Sequence, residues 1–264
     1  MYGADFHLHT HHSFDSRTAM ADVCRQALIR NYSEICFTEH FSLNPDVPTF
    51  GHLDWDNYTA DILQNRARFQ DSLIIRKGIE ICEPHHDPDG YRKLFSHEPM
   101  DFILGSVHNV STRKLRFLLR DLGKDRAYAF FFEETLSMVQ SADIDGAAHL
   151  DLIKRYCGEA FSDQDLERYF EIIEKILRTM IERNLALEIN TSTLKSLNQT
   201  MPASNILLLY KSLGGTLITL GSDSHNGTSL GENFDIGRKL ALQCGFTTFC
   251  TFKQRNPVQR LIEE

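Results

Sequence analysis

Short apolar segments that end in polar residues recur along the whole chain. Seven of them predict β-strands, at residues 4–9, 34–40, 72–80, 101–108, 145–149, 185–190 and 216–223. Helical stretches are predicted between them, over residues 18–31, 54–70, 125–140, 163–184, 203–213 and 233–244, and residues 246–252 predict one late strand. Because strand and helix alternate without a low-complexity linker, the pattern predicts parallel βα units joined by right-handed crossovers.

The clearest predicted helix covers residues 163–184, behind a Ser162 N-cap. Its apolar positions recur at helical spacing, at Leu166, Phe170, Ile173, Leu177 and Met180. One face of this helix is therefore expected to pack on the core.

The predicted strands share a second property, a polar or ligand-type residue at each carboxyl end. These residues are His7 and His9, His40, Glu80, His108, His149, Asn190, and Asp223 with His225. A barrel brings the carboxyl ends of all its strands to one face, whereas an open sheet concentrates its site at one switch point. The pattern therefore favours an α/β TIM-like barrel, a single domain over residues 1–264.

Charge and composition narrow the partners that the chain is expected to have. Its 28 Lys and Arg against 36 Asp and Glu give a net charge of -8, which argues against broad binding to nucleic acid but leaves room for a basic pocket for one small anion. No apolar run is long enough for a transmembrane helix, and the amino terminus lacks the pattern of a secretion signal. Six scattered cysteines without a CxxC pair suggest a reducing, cytoplasmic compartment. The sequence does not indicate the oligomeric state.

The histidines carry the strongest chemical signal. His7 and His9 are two apart on a strand, so their imidazoles share one face, and Asp223 and His225 repeat this spacing near the other end of the chain. Six of the 12 His lie at predicted strand ends together with Glu80 and Asp223, and Asp15 follows the first strand. One ion takes about three or four protein ligands, so these nine residues suggest two or three divalent ions, with Glu80 bridging a pair. Such a centre is typical of phosphoester hydrolysis.

The ordered set of motifs resembles one family over nearly the whole chain. The series HLHTHHSFD, FTEH, GIE, SVH, AAHLD, EINTS and GSDSH is similar to the PHP (polymerase and histidinol phosphatase) superfamily of metal-dependent phosphoesterases. The segments LDLIKRY and EINTSTLK resemble its monofunctional histidinol-phosphatase branch. The resemblance implies a distorted (β/α)7 barrel, a trinuclear metal centre, and hydrolysis of L-histidinol phosphate to L-histidinol and phosphate in histidine biosynthesis.

The resemblance also implies a ligand set for each ion, of zinc, iron or manganese. The sets are His7, His9, Glu80 and Asp223 for the first ion, Glu80, His108 and His149 for the second, and Asp15, His40 and His225 for the third. Asp15 stands where other members carry His, so the preference of the third site among these metals is open. Glu80, Asp223 and His225 are also expected to be catalytic.

The expected mechanism is attack on phosphorus by a hydroxide that bridges two ions. Arg155, just beyond a ligand-bearing strand, is predicted to bind the phosphate because a guanidinium can donate two parallel hydrogen bonds. His12 and Asn190 are further candidates for substrate binding. The leaving-group acid is not assigned.

Several alternatives stay open at this point. His85 and His86 are expected to be surface loop residues, although either could replace Glu80 as a ligand. Asp151 could cap a helix or orient a ligand, and Glu39 is expected behind the metal site. The protein could also be a phosphoesterase for another small ester, such as a nucleotide or phosphotyrosine, or a metal-binding barrel without activity.

Overall fold

The chain is described over residues 2–263 by a computed structural model, in which strands and helices follow one another closely. The strands are β1 (Ala4–Leu8), β2 (Glu34–Phe41), β3 (Ile74–Cys82), β4 (Phe102–Ser106), β5 (Asn109–Val110), β6 (Arg113–Lys114), β7 (Gly146–Ala147), β8 (Ala186–Asn190), β9 (Ile218–Gly221), β10 (Thr248–Lys253) and β11 (Asn256–Leu261). The helices are α1 (Met20–Ile29), α2 (Trp55–Phe69), α3 (Pro88–Phe95), α4 (Leu115–Ser141), α5 (Ile153–Cys157), α6 (Asp163–Arg168), α7 (Phe170–Glu182), α8 (Leu194–Leu197), α9 (Ser204–Ser212) and α10 (Phe234–Gln243). Two 3-10 turns cover Pro84–His86 and Gly227–Ser229.

Seven parallel strands form one sheet in the order β1, β2, β3, β4, β7, β8, β9. The sheet returns on itself just past the end of β9. There the amide of Asp223 donates to the carbonyl of His7 at 2.9 Å, and the amide of His9 donates to the carbonyl of Ser224 at 2.9 Å. The predicted (β/α)7 barrel is confirmed, and its closure joins the first and last ligand motifs.

The barrel strands β1, β2, β4, β8 and β9 are buried along their whole length, as parallel strands covered by helices usually are. Aromatic residues fill the amino-terminal end of the interior. The ring of Phe102 lies 5.6 Å from that of Phe6 and 4.6 Å from that of Phe252 on β10. This apolar packing leaves the carboxyl end of the barrel for the polar residues.

The structure differs from the predicted elements where tertiary contacts decide the backbone. Ser162 forms a capping box with Asp165, as its position suggested, but the predicted helix over residues 163–184 is interrupted at Tyr169, whose backbone leaves helical geometry. Helix α4 begins earlier than predicted and breaks at Gly123, where φ is +75°. The late strand pairs with β11 in an antiparallel hairpin whose turn residues, Gln254 and Arg255, both have positive φ.

Two general properties of residues 2–263 bear on the predicted setting. None of the helices in this part of the chain is both long and apolar enough to cross a membrane. The six cysteines are all free thiols.

Candidate metal centre

The carboxylate of Glu80, fully buried at the end of β3, is surrounded by imidazoles. Its Oε2 lies 2.9 Å from Nδ1 of His40, 3.2 Å from Nε2 of His7 and 3.4 Å from Nε2 of His9. Its Oε1 lies 3.1 Å from Nε2 of His149 and 3.6 Å from Nε2 of His108. Since imidazoles approach both oxygens, either oxygen of Glu80 could serve as a ligand to a cation held in this cluster.

Asp223 and Asp15 extend the cluster toward the cavity mouth. Oδ1 of Asp223 lies 3.5 Å from Nε2 of His9 and 3.6 Å from Nδ1 of His225. Oδ2 of Asp15 lies 3.2 Å from Nε2 of His225 and 3.5 Å from Nε2 of His40. The structure thus brings all nine residues predicted as ligands into one cluster.

The cluster contains three groups of three residues that could each hold an ion. Within each group, the ligand atoms lie within 4.8 Å of one another. The groups are His7, His9 and Asp223; His7, Glu80 and His149; and His9, His40 and His225. The first group is part of the predicted first set, whereas the other two share members between predicted sets. Neighbouring ions in such a cluster would therefore share ligands.

Two imidazole atoms in the cluster are buried without a hydrogen-bond partner, Nε2 of His9 and Nδ1 of His40. The latter approaches Glu80 but outside hydrogen-bond geometry. Unpaired polar atoms in a protein interior cost about 1–3 kcal/mol each, and a coordinated cation would satisfy them. Imidazole and carboxylate donors suit zinc, iron and manganese, so the residues present fit divalent metal ions.

The charges in the cluster favour the forms that bind metal. Burial alone would raise the pKa of Glu80, but the surrounding imidazoles, His40 and His7 foremost, hold it well below its usual range. Burial alone would also raise the pKa of Asp223, but neighbouring charges, that of His7 foremost, hold it well below its usual range. Burial lowers the pKa of His9 well below its usual range, and neighbouring imidazoles add to this effect. Anionic carboxylates and a neutral imidazole are the ligating forms.

Two of the predicted ligands have left-handed backbone geometry. His149 has φ of +25° and Asp223 has φ of +54°, a region that residues other than glycine rarely occupy. Each lies two residues beyond the end of a barrel strand, β7 for His149 and β9 for Asp223. Strained backbone of this kind concentrates at functional sites, where the surrounding structure maintains it.

Sequence reasoning missed Glu188, which stands behind the cluster on β8. Its Oε1 accepts a hydrogen bond from Nδ1 of His7 at 2.5 Å, and its Oε2 accepts one from the amide of His149 at 2.7 Å. A Cβ at Gly221 would lie 2.1 Å from Oε1 of Glu188, so only glycine fits beside this contact. The available signal was the spacing of Glu188 and Asn190, which puts both on one face of the strand.

Glu39 supports the first motif, at the place where the sequence suggested. Its buried carboxylate accepts hydrogen bonds from the amide and hydroxyl of Thr10 and from the hydroxyl of Ser13. The Ser13 hydroxyl also lies 3.1 Å from Nδ1 of His9 and accepts from the amide of His40. Glu39 therefore orients two predicted ligands through Ser13.

A cavity of about 830 Å³, open solvent at its mouth included, lies over the cluster. Its lining includes predicted ligands, the cations Lys114, Arg116 and Arg155, and the apolar or aromatic residues Phe14, Val47, Pro48 and Tyr156. Arg155 reaches the cavity from α5. The site can therefore hold a small molecule that has an anionic end and an apolar or aromatic end.

The other predicted substrate residues lie outside the lining of this cavity. Nε2 of His12 lies 2.9 Å from Oδ2 of Asp61, and its ring packs edge-on against Tyr58. Asn190 is fully buried and donates to Glu188 at 3.2 Å. The structure gives both residues protein partners rather than an approach to the cavity.

Comparison with known proteins agrees with the motifs. Residues 5–192 match the PHP domain family. The chain is 29% identical over 255 residues to a histidinol-phosphatase of Lactococcus lactis subsp. lactis, with 94% of this chain and 93% of the relative covered. It is 29% identical over 248 residues to a probable histidinol-phosphatase of Clostridium acetobutylicum, with 91% and 93% covered. The crystal structure of the Lactococcus lactis histidinol phosphate phosphatase in complex with zinc, L-histidinol and phosphate superimposes with a TM-score of 0.86, at 28% identity over 97% of this chain and 98% of that one.

Proposed function

The chain belongs to the PHP domain family, and from this premise we propose that it is a metal-dependent phosphomonoesterase that hydrolyses L-histidinol phosphate to L-histidinol and phosphate. The observation that carries the proposal is the convergence of six imidazoles and three carboxylates beneath a cavity that Arg155 lines. The relative solved with zinc, L-histidinol and phosphate supports the choice of substrate, because the likeness extends over nearly the full length of both chains.

We propose that two or three divalent ions, of zinc, iron or manganese, are held by the nine clustered residues. The assigned sets stay those that the family resemblance implies: His7, His9, Glu80 and Asp223; Glu80, His108 and His149; and Asp15, His40 and His225. When bound, such ions polarise phosphoryl oxygens and acidify water. Glu80, Asp223 and His225 are the proposed catalytic residues, because Asp223 and His225 line the cavity and the buried Glu80 lies among the clustered imidazoles.

The remaining roles belong to side chains that line the cavity. The Arg155 guanidinium would bind the phosphate and orient it toward the cluster, since a planar fork of N–H donors matches phosphate oxygens. Phe14 and Tyr156 offer aromatic surface to the imidazole of the substrate, and Val47 and Pro48 limit the access of water. Lys114 and Arg116 add positive charge that attracts a phosphate dianion.

The setting that we propose is that of a cytoplasmic enzyme of histidine biosynthesis with a small-molecule substrate. The acidic net charge and the scattered cysteines without a CxxC pair support this assignment. Binding of nucleic acid or of a membrane surface is not expected from this composition.

A substrate panel combined with elemental analysis tests the function. Phosphate release would be measured from histidinol phosphate, mononucleotides, dinucleotides and phosphotyrosine, with the metal content of the same preparation known. We expect histidinol phosphate to give by far the highest kcat/KM. Glu80→Gln, purified in the same way, is the control for contaminating phosphatases and should release no phosphate.

Two results would contradict the proposal. A higher kcat/KM for another ester would assign a different substrate to the same centre. No release from any ester at full metal occupancy would favour a metal-binding barrel without activity.

A further inference from the structure

A second cluster of metal-binding residue types lies outside the barrel centre, where the 3-10 turn Pro84–His86 meets α4. Nε2 of His86 lies 2.7 Å from Oε1 of Glu134, and Nε2 of His85 lies 3.2 Å from the same oxygen. The three ligand atoms all lie within 4.8 Å of one another. The sequence favoured surface loop residues at positions 85 and 86, with a ligand role in place of Glu80 as the alternative.

The ring of His85 lacks the partners that a buried polar group normally has. Its side chain is 6% exposed, and neither Nδ1 nor Nε2 forms a hydrogen bond, because the approach to Glu134 falls outside hydrogen-bond geometry. Nearly all buried polar groups in folded proteins are paired, so an unpaired ring aimed at a carboxylate calls for an explanation. A cation between Nε2 and the carboxylate would supply it.

The local backbone explains why two consecutive histidines converge. On a strand they would point to opposite faces, but Glu83 has φ of +44° and Pro84 begins a tight turn. The two rings consequently lie with their centroids 4.3 Å apart. From α4, the Glu134 carboxylate accepts a hydrogen bond from the amide of Ser111 at 3.2 Å, which holds it in place.

We propose that His85, His86 and Glu134 form a second metal site that takes one zinc-like divalent ion, apart from the barrel centre. Bonds of about 2.0–2.1 Å in tetrahedral geometry separate ligand atoms by roughly 3.3 Å, close to the distance between His85 and Glu134. Nε2 of His86 would need to move by roughly 0.6 Å from its present 2.7 Å to reach that separation. Its side chain is 35% exposed, so the fourth position opens to solvent, from which the ion can enter and a water can complete the shell.

The ion would link the turn after β3 to α4, two segments that the hydrogen bond between His86 and Glu134 already joins. Glu83, immediately before the turn, accepts hydrogen bonds from the amides of His108 and Asn109. His85, His86 and Glu134 do not line the cavity, so the site would join two surface segments and would not contact substrate. It goes beyond the proposed function and does not depend on it.

Zinc stoichiometry tests the site. The holoenzyme would be equilibrated with buffered free Zn²⁺, and zinc per chain would be measured for the wild type, Glu134→Gln, His86→Ala and the control His97→Ala, which removes an exposed imidazole elsewhere. We expect one equivalent less in Glu134→Gln and His86→Ala, the wild-type value in His97→Ala, and unchanged phosphate release in all three variants. Glu134→Gln keeps an acceptor for the Ser111 amide, so it remains decisive if His86→Ala fails to fold.

Two outcomes overturn the proposal. Equal zinc content in the wild type and Glu134→Gln would show that the cluster holds no ion. Loss of one equivalent together with loss of phosphate release would assign the missing ion to the barrel centre. A preparation that releases no phosphate in any form would refute the proposed function but leave the difference in stoichiometry interpretable.

Discussion

Nη2 of Arg155 lies 2.9 Å from Oδ2 of Asp223, so a guanidinium is held directly against a carboxylate of the predicted metal centre. The same nitrogen donates to the hydroxyl of Ser192 at 2.5 Å, which fixes the orientation of the side chain. A third of the Arg155 side chain stays exposed, and it lines the cavity. Its charge therefore lies where a phosphate group would meet the centre.

Arg155→Ala should weaken substrate binding. A hydrogen bond to a charged group contributes about 1.5–3 kcal/mol, so kcat/KM for histidinol phosphate should fall roughly 10- to 100-fold, mainly through KM. Arg155→Lys, which keeps the charge but not the fork of donors, should recover only part of the loss. Steady-state kinetics and elemental analysis of the same samples provide the check. Unchanged kinetics, or loss of metal from Arg155→Ala, would contradict the role.

Glu188→Gln should loosen metal binding while the ligands themselves stay intact. The carboxylate fixes the tautomer of His7 and leaves Nε2 of that ring toward Glu80. Loss of a partner of this kind typically lowers metal affinity about 10- to 100-fold. Competition with a chelator of known affinity measures the change, and Glu174→Gln, a partly exposed carboxylate on α7, is a control of the same chemistry. An affinity equal to that of the wild type would exclude the positioning role.

Asp151→Ala should lower the free energy of unfolding of the protein, since its role is structural and not catalytic. Asp151 is fully buried and accepts from Nζ of Lys154 at 2.7 Å and from the amide of Ala203. Removing one partner of a buried ion pair costs about 3–5 kcal/mol because it leaves the other charge uncompensated. The double variant with Lys154→Met should regain part of that free energy of unfolding in denaturant titrations. Equal losses in the single and double variants would argue against the pairing.

The sequence predicted the barrel and the cluster of candidate ligands because both follow from local patterns. Strand ends such as HLH, FTEH and GSDSH each carry their ligand within a few residues of an apolar run. A closed barrel then brings them together without further information. That geometry is why residues as distant in sequence as His7 and Asp223 could be assigned to one site.

The features that the sequence did not reveal depend on contacts between side chains that only the folded chain brings together. The buried Glu188 meets His7 across 181 positions, through the closure of the barrel between β1 and β9. Tyr169 interrupts a helix whose residues favour helix on both sides, so no local signal marks the break. Lys154, beside Arg155, pairs with Asp151 inside the protein, a contact that only the tertiary fold defines.

Asp145→Asn should change how stability depends on pH. Burial raises the pKa of Asp145 from 3.8 to about 6, although Arg255 and the amide of Ile103 partly oppose this. The folded pKa lies above the unfolded value, so the native state binds more protons between pH 4 and 6, and stability from this group falls as pH rises through that window. The free energy of unfolding of the wild type, minus that of the variant, should decrease by about 2 kcal/mol from pH 4 to 7.

Asp143, which pairs with the same Arg255, provides the control of opposite sign. The Arg255 hydrogen bond is the main cause that lowers the pKa of Asp143, so this carboxylate contributes stability above its unfolded pKa and loses it as pH falls. For Asp143→Asn, the free energy of unfolding of the wild type minus that of the variant should therefore increase as pH rises. Urea titrations at several pH values measure both, and parallel pH profiles for the two variants would refute the assignment.

Asp15→His should change which metal the outer part of the centre prefers. Asp15 contributes a carboxylate between His40 and His225, at a position where the family resemblance implies an imidazole. Carboxylate oxygen suits manganese, whereas imidazole suits zinc and its neighbours. After dialysis against equal concentrations of both ions, the ratio of bound zinc to bound manganese should be higher in Asp15→His than in the wild type. Asp46→His, in an exposed loop, controls for an added imidazole and should leave the ratio unchanged. An identical ratio in all three proteins would mean that Asp15 does not ligate the ion, since a ligand exchange must alter the relative affinities of the site.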